Sequence, residues 1–224
     1  MPHSICDSIH SIQDELAPYN ARLVAVSKTK PSSLLMEAYD CGQRIFGENR
    51  VQELVEKAQT LPKDIEWHFI GHLQRNKVKY IAPFVDLIHA VDSWKLLQEI
   101  DKRAGANDRI IKVLLQFKIA QEDSKYGMAD EEMYRFLEQE NWQELSHVQI
   151  CGVMGMATFT DNQDQVQSEF EKLHGHYQRL KSNHFAENED FKEISMGMSG
   201  DYQLALKTGS TMVRIGSSIF GARY

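Results

Sequence analysis

Eight short apolar runs, each followed by a segment of helical periodicity, predict a single (β/α)8 TIM-type barrel for this 224-residue chain. Two further observations point the same way. No Gly/Ser- or Pro-rich linker divides the chain, so residues 1–224 read as one domain. The eighth run ends almost at the C-terminus, and one extra helix (about residues 4–17) precedes the first strand. An open doubly wound sheet is the competing architecture, and it ordinarily has fewer strands and a less regular repeat.

The first unit is RLVAVSK (22–28) with a helix over about 33–41, for which Pro31 and the serines are start signals and Gly42 the stop. RIFGE (44–48) precedes NRVQELVEKAQ (49–59), and EWHFIG (66–71) precedes QRNKVKYIA (74–82). VDLIHAVD (85–92) precedes SWKLLQEIDKRA (93–104). RIIKVLLQFK (109–118) is followed by a polar loop and DEEMYRFLEQE (130–140). VQICGVMGM (148–156) precedes the long NQDQVQSEFEKLHGHYQRLKSN (162–183). FKEISMGM (191–198) leads into GDYQLALKTG (200–209), and TMVRIGSSIFG (211–221) closes the series.

Composition excludes several classes. A net charge of −7 argues against nucleic-acid binding through phosphate neutralisation. Cys6, Cys41 and Cys151 are scattered, with no C-x-x-C pair, and read as reduced thiols rather than a disulfide framework or a zinc set. The N-terminal MPHSICDSIHSIQDEL lacks a basic region followed by an apolar run, and no stretch approaches the ~18 apolar residues of a membrane span. A cytoplasmic protein is the expectation.

Barrels of this kind place their sites at the C-terminal ends of the strands and commonly bind phosphate after strands seven and eight. Both loops here carry what an anion needs. Gly197, Ser199 and Gly200 lie on one, and Gly216, Ser217 and Ser218 on the other, with glycines that admit backbone N–H groups and serines that donate. Arg214 lies inside the eighth apolar strand, where a charge needs a partner: a carboxylate, a ring nitrogen or an anion. Lys28 ends strand one, next to strand eight once the barrel closes, and a lysine becomes nucleophilic when burial or a nearby cation lowers its pKa. Lys30 lies past the strand beside Pro31 and reads as a solvent-facing loop residue. Phosphate cradle, aldehyde-binding lysine and arginine together describe pyridoxal 5′-phosphate.

VAVSKTKP, FGENRVQE (46–53), WHFIGHLQRNK (67–77), SKYG (124–127), GVMGMAT (152–158), ISMGMSGD (194–201) and STMVRIGSSIFGAR (210–223) resemble the pyridoxal phosphate homeostasis proteins, which are related to the alanine racemase N-terminal domain. The resemblance runs over residues 22–223. It implies a cofactor held as an internal aldimine on Lys28. Ser199, Gly216 and Ser217 match the phosphate positions, Arg214 the arginine facing the pyridine nitrogen, and Asn49 and Met154 residues lining the ring. His72 stands where many relatives have proline.

An arginine cannot accept a proton from a pyridinium, so it weakens the ring as an electron sink. A racemase would also need a second acid/base on the opposite face; His72, His89 and Tyr126 are formal candidates that read better as ordinary groups. The reading is therefore an intracellular carrier or buffer of pyridoxal phosphate without strong catalysis. Its expected partners are the cofactor itself and, transiently, apoenzymes that use it; it is read as a monomer that contacts neither nucleic acid nor membrane. Release to a second lysine (Lys30, Lys77 or Lys207) is a further expectation. The alternatives are a pyridoxal-phosphate racemase or lyase and, less well matched, a cofactor-free Schiff-base aldolase.

Three other features have plain readings. His174 and His176 have the wrong spacing for one helical face, so they are not read as metal ligands. Trp67, Trp94 and Trp142 read as barrel–helix packing. QEDSKYG (121–127) is either a lid or a polar turn.

Overall fold

The computed structural model describes residues 4–121 and 126–221. Eight parallel strands close into a barrel in sequence order: β1 Arg22–Val26, β2 Ile45–Glu48, β3 Glu66–Phe69, β4 Leu87–Val91, β5 Ile111–Gln116, β6 Val148–Met154, β7 Glu193–Met198 and β8 Met212–Ile215. Closure is made by β8 against β1, with Val24 opposite Arg214. The register shifts between β4 and β5, β5 and β6, and β7 and β8, as expected where a strand must bend to follow a barrel wall.

The helices are α1 Ile5–Leu16, α2 Ser32–Asp40, α3 Val51–Thr60, α4 Val78–Ile81, α5 Trp94–Gly105, α6 Asp130–Gln139, α7 Gln163–Asn183, α8 Tyr202–Lys207 and α9 Ser217–Phe220. α1 starts at a capping box: Ser4 Oγ accepts from Asp7 N–H at 3.1 Å, and Ser4 N–H donates to Asp7 Oδ2 at 3.3 Å. Ile5, Ile9, Ile12 and Leu16 then line one buried face at helical spacing. Among the described residues no helix is long and apolar enough to cross a membrane.

Strand alternation splits the core into two shells. Leu23, Ala25, Phe46, Val213 and Ile215 point outward into the large shell beneath the helices. Val24, Leu87, Leu114, Cys151, Met154 and Met212 fill the barrel itself. The tryptophans pack on phenylalanines, though not between strand and helix as expected: Trp67 on Phe46 of the neighbouring strand, Trp94 on Phe136 of the neighbouring helix and Trp142 on Phe185, at 6.0, 5.6 and 4.9 Å between ring centroids.

Three further expectations need correction. Strand one ends at Val26, which leaves Lys28 in a turn two residues beyond it. The segment after Ile215 leaves the sheet at Gly216 and forms α9 instead of prolonging the strand. Finally, Cys6 and Cys41 are joined in a disulfide with Cα atoms 5.4 Å apart, while Cys151 is free and buried. A spacing of 35 residues carries no pairing signal; the packing of α1 against α2 brings the two together. Closing a loop of that length restrains the unfolded chain by about 3–4 kcal/mol on an entropic estimate.

Candidate cofactor site

Lys28 sits at the corner of a tight turn. Lys30 N–H donates to Ser27 O at 3.0 Å, and Thr29 takes a φ of +65°, a conformation that opposes a β-branched side chain. Buried charge holds this strained turn in place. Glu48, at the end of β2 and fully buried, accepts from Ser27 Oγ at 2.6 Å and from Lys57 Nζ at 2.7 Å. Lys57 Nζ also donates to Ser27 O at 2.8 Å and to Glu53 Oε1 at 2.7 Å. Glu53 Oε1 in turn accepts from Thr29 N–H at 2.6 Å. The residues on both sides of Lys28 are therefore tied down. Burial raises the Glu48 carboxyl above its ordinary range, against the opposing pull of Lys57 and Ser27.

The loops after β7 and β8 are held differently. Gly197 has a φ of +93°, and a Cβ there would lie 2.7 Å from Ala205 Cβ, so only glycine lets α8 fold back this closely. Gly216 N–H donates to Ser199 Oγ at 3.3 Å and draws the two loops together. A Cβ on Gly216 would stand 3.0 Å from Val26 O, where β8 meets β1. α8 has six residues and α9 four, so the electropositive character of this corner comes from first-turn N–H groups rather than from long helices.

Between these two regions a polar chain crosses the barrel interior. Arg214 donates to Ser195 Oγ at 2.5 Å and to Gly155 O at 3.0 Å. Ser195 Oγ lies 2.9 Å from His89 Nδ1, and His89 Nε2 lies 3.1 Å from His68 Nδ1. Burial pulls His68 down to about 3 and His89 well below the ordinary histidine range, so both rings are neutral. Burial also lowers Arg214 to about 10, partly offset by the Asp201 carboxylate, and the guanidinium stays charged at neutral pH. Ser195 Oγ thus accepts from Arg214 and pairs with His89, whose other ring nitrogen pairs with His68.

The Lys28 turn, the two glycine–serine loops and Arg214 meet in one cavity of about 770 Å³ at the C-terminal end of the barrel. Of the residues singled out from the sequence, Lys28, Asn49, Ser199, Arg214, Gly216 and Ser217 line it. Met154 is fully buried among the interior apolar residues, and Met156, two positions on, lines the cavity together with Met198. Lys30 is half-buried rather than solvent-facing, its Nζ donating to Phe220 O at 2.9 Å and Gly221 O at 3.1 Å. Across the cavity, His72 stacks on Tyr126 with ring centroids 4.5 Å apart, and its Nδ1 lies 3.1 Å from Asp92 Oδ2. Residues 122–125 of the possible lid lie outside the described residues. His176 stacks on Phe117 at 4.4 Å, whereas His174 meets Gln178, which separates the two histidines as their spacing implies.

Sequence reasoning missed Glu48, Glu53, Lys57 and Ser195. Glu53 and Lys57 were within reach, since they stand at i and i+4 on α3. Ser195 gave no such signal, because its role depends on which strand lies opposite.

The residues present suit a phosphate-bearing aldehyde. They offer glycine N–H groups without a Cβ in the way, serine hydroxyls, a guanidinium fixed by Ser195 and Gly155, and a lysine on the neighbouring turn. Comparison with known proteins agrees. Residues 4–224 match the family model described as alanine racemase, N-terminal domain. The pyridoxal phosphate homeostasis protein of Haemophilus influenzae is 40% identical over 205 residues, covering 90% of this chain and 85% of that protein. The human protein of that name is 40% identical over 222 residues, covering 93% and 79%. The solved structure of PipY from Synechococcus elongatus with pyridoxal phosphate bound superposes with a TM-score of 0.87 at 36% identity, covering 97% of this chain and 100% of that one.

Proposed function

The chain belongs to the pyridoxal phosphate homeostasis proteins of the alanine racemase N-terminal domain family, and from that premise we propose that it holds pyridoxal 5′-phosphate as a Lys28 Schiff base and serves as a carrier or buffer of the cofactor. The cofactor is pyridoxal 5′-phosphate, and the role lies in its homeostasis. The observation that carries the finer reading is the convergence of Lys28, Arg214 and the Ser199 and Gly216–Ser217 loops on one cavity.

The bound group would supply an aldehyde carbon and an electron-withdrawing ring. The chain supplies position. Backbone N–H groups and hydroxyls of Ser199, Gly216 and Ser217 would take the phosphate, and Asn49 would lie beside the ring. Arg214 would face the ring nitrogen as a pure donor; it stays charged and cannot accept a proton, so it would favour the unprotonated nitrogen. That suits storage better than electron-sink catalysis. The protein acts in the cytoplasm as a monomer and meets recipient apoenzymes transiently.

A racemase or lyase is the second reading, and one observation favours it. His72 lines the same cavity, and Asp92 fixes one ring nitrogen, as in an acid–base pair. Exchange of an amino acid's α-hydrogen in heavy water, faster than with free cofactor and lost in His72→Gln, would decide for it.

The carrier reading is tested by the absorbance of the purified protein before and after borohydride, with the adduct mapped by mass spectrometry. The expected result is a band near the ~420 nm of a lysine-bound aldehyde, trapped on Lys28. Trapping at another lysine in the native protein would overturn the assignment.

A further inference from the structure

α1 reaches three of the helices that follow cofactor loops. It packs against β1, α2 and α9. Glu15 Oε2 accepts from Tyr202 Oη at 2.9 Å and from Gln203 Nε2 at 2.7 Å, in the first turn of α8. It therefore touches the helix after Lys28, the helix after Ser199 and the helix that begins at Ser217. Lys30 closes the same face by bonding the last carbonyls of α9. One covalent bond fastens this strap: Cys6, in the first turn of α1, to Cys41, at the end of α2. Both cysteines are half-buried, so a small thiol reaches them, whereas Cys151 is buried.

We propose that Cys6 and Cys41 form a reversible thiol–disulfide site whose closure tightens the α1 strap over the cofactor loops and whose reduction loosens it. Its functional consequence rests on the pyridoxal phosphate reading of the cavity. Closure is an exchange with a small disulfide such as glutathione disulfide. One protein thiolate attacks a reagent sulfur and releases the first glutathione thiolate. The second protein thiolate attacks the mixed disulfide and releases the second. Two protein thiols are oxidised, one reagent disulfide is reduced to two thiols, and the protein's protons pass to the thiolates released. Opening is the reverse, with two glutathione thiols as reductant. A disulfide that cycles is the kind a reducing compartment tolerates, and it lets cofactor retention follow redox state without a change at Lys28.

The test compares the full chain, as purified with its cofactor, after equilibration with oxidised or reduced glutathione and desalting. Mass spectrometry of alkylated peptides establishes the Cys6–Cys41 bond. Cofactor loss is followed on dilution, and hydrogen exchange is read in α1, the 199–201 loop and α9. The oxidised form is expected to lose cofactor more slowly, by roughly fivefold or more, the low end of ordinary coupling between two sites. Its α1 and α9 amides are expected to exchange more slowly as well. The Cys6→Ser/Cys41→Ser variant is expected to behave as the reduced form under both treatments. Equal exchange in the two forms, equal cofactor loss, or a pair that glutathione disulfide never joins would overturn the proposal. Exchange needs no bound cofactor, so it separates failure of the strap from failure of the cofactor reading.

Discussion

The turn that carries Lys28 is held by buried charge, whereas the turns that carry Ser199 and Ser217 are held by backbone geometry. Around Lys28 a lysine and two glutamates grip Ser27 and Thr29 and enforce a left-handed residue that its side chain resists. Around Ser199 and Ser217 there are glycines, serines and two very short helices. The difference follows from what each must present. A reactive amine on a long flexible side chain has to be aimed, and strong interactions fix its base. An anion needs bare N–H groups, and side chains would only stand in its way. Charge clamps one half of the site, and absence of side chain opens the other.

That contrast can be broken most severely at Lys57. Lys57→Met leaves Glu48 and Glu53 without their common cation, and breaking a buried pair from one side costs about 3–5 kcal/mol. Urea unfolding should show that loss, and the double variant with Glu48→Gln should lose less than the two single losses added together. Equal losses would mean that the clamp is three separate contacts.

Acid gives the next largest effect, through the interior chain that joins the two halves. His68 at about 3, and His89 lower than its ordinary range, are neutral in the folded barrel, while the unfolded chain protonates near 6.5. As pH falls below 6.5 only the unfolded state gains these protons, so stability drops, by up to about 1.4 kcal/mol per pH unit for each histidine. Glu48 has the opposite sign: its raised value favours folding as it protonates, so the histidines are best read above the carboxylate range. The unfolding midpoint should fall between pH ~7 and pH ~5, and His68→Gln should remove about one proton from the slope.

Ser195→Ala takes away one of the two acceptors of Arg214 and the Nδ1 partner of His89, at a loss of about 1–3 kcal/mol. Weaker cofactor affinity with an altered absorbance is expected, since the guanidinium is then fixed by Gly155 O alone. The smallest change is Ser199→Ala, which removes the 3.3 Å bond from Gly216 N–H. It should lower cofactor affinity by about 0.5–1.5 kcal/mol, read by equilibrium dialysis, and leave the melting temperature nearly unchanged.

The barrel itself was legible from alternation. Eight β-branched runs separated by helical periods leave little choice of fold, because each strand must bury both faces and each helix one. That Lys28 and the glycine–serine loops would share one cavity was legible for a related reason: they stand at the C-terminal ends of strands that are neighbours once the barrel closes. What the tertiary structure alone decided are the relations between distant positions. Met154 and Met156 differ by two residues, yet β6 ends at Met154, which stays in the barrel interior, while Met156 lies beyond the strand at the cavity. Ser195 acquires its meaning only from Arg214 and His89, on strands that neither precede nor follow it at any fixed spacing. Cys6 and Cys41 look scattered until α1 lies on α2. The sequence determined the elements and the residue types at their ends, because those obey local periodicity and backbone sterics. Pairing across the barrel depends on shear and packing, which no local pattern encodes.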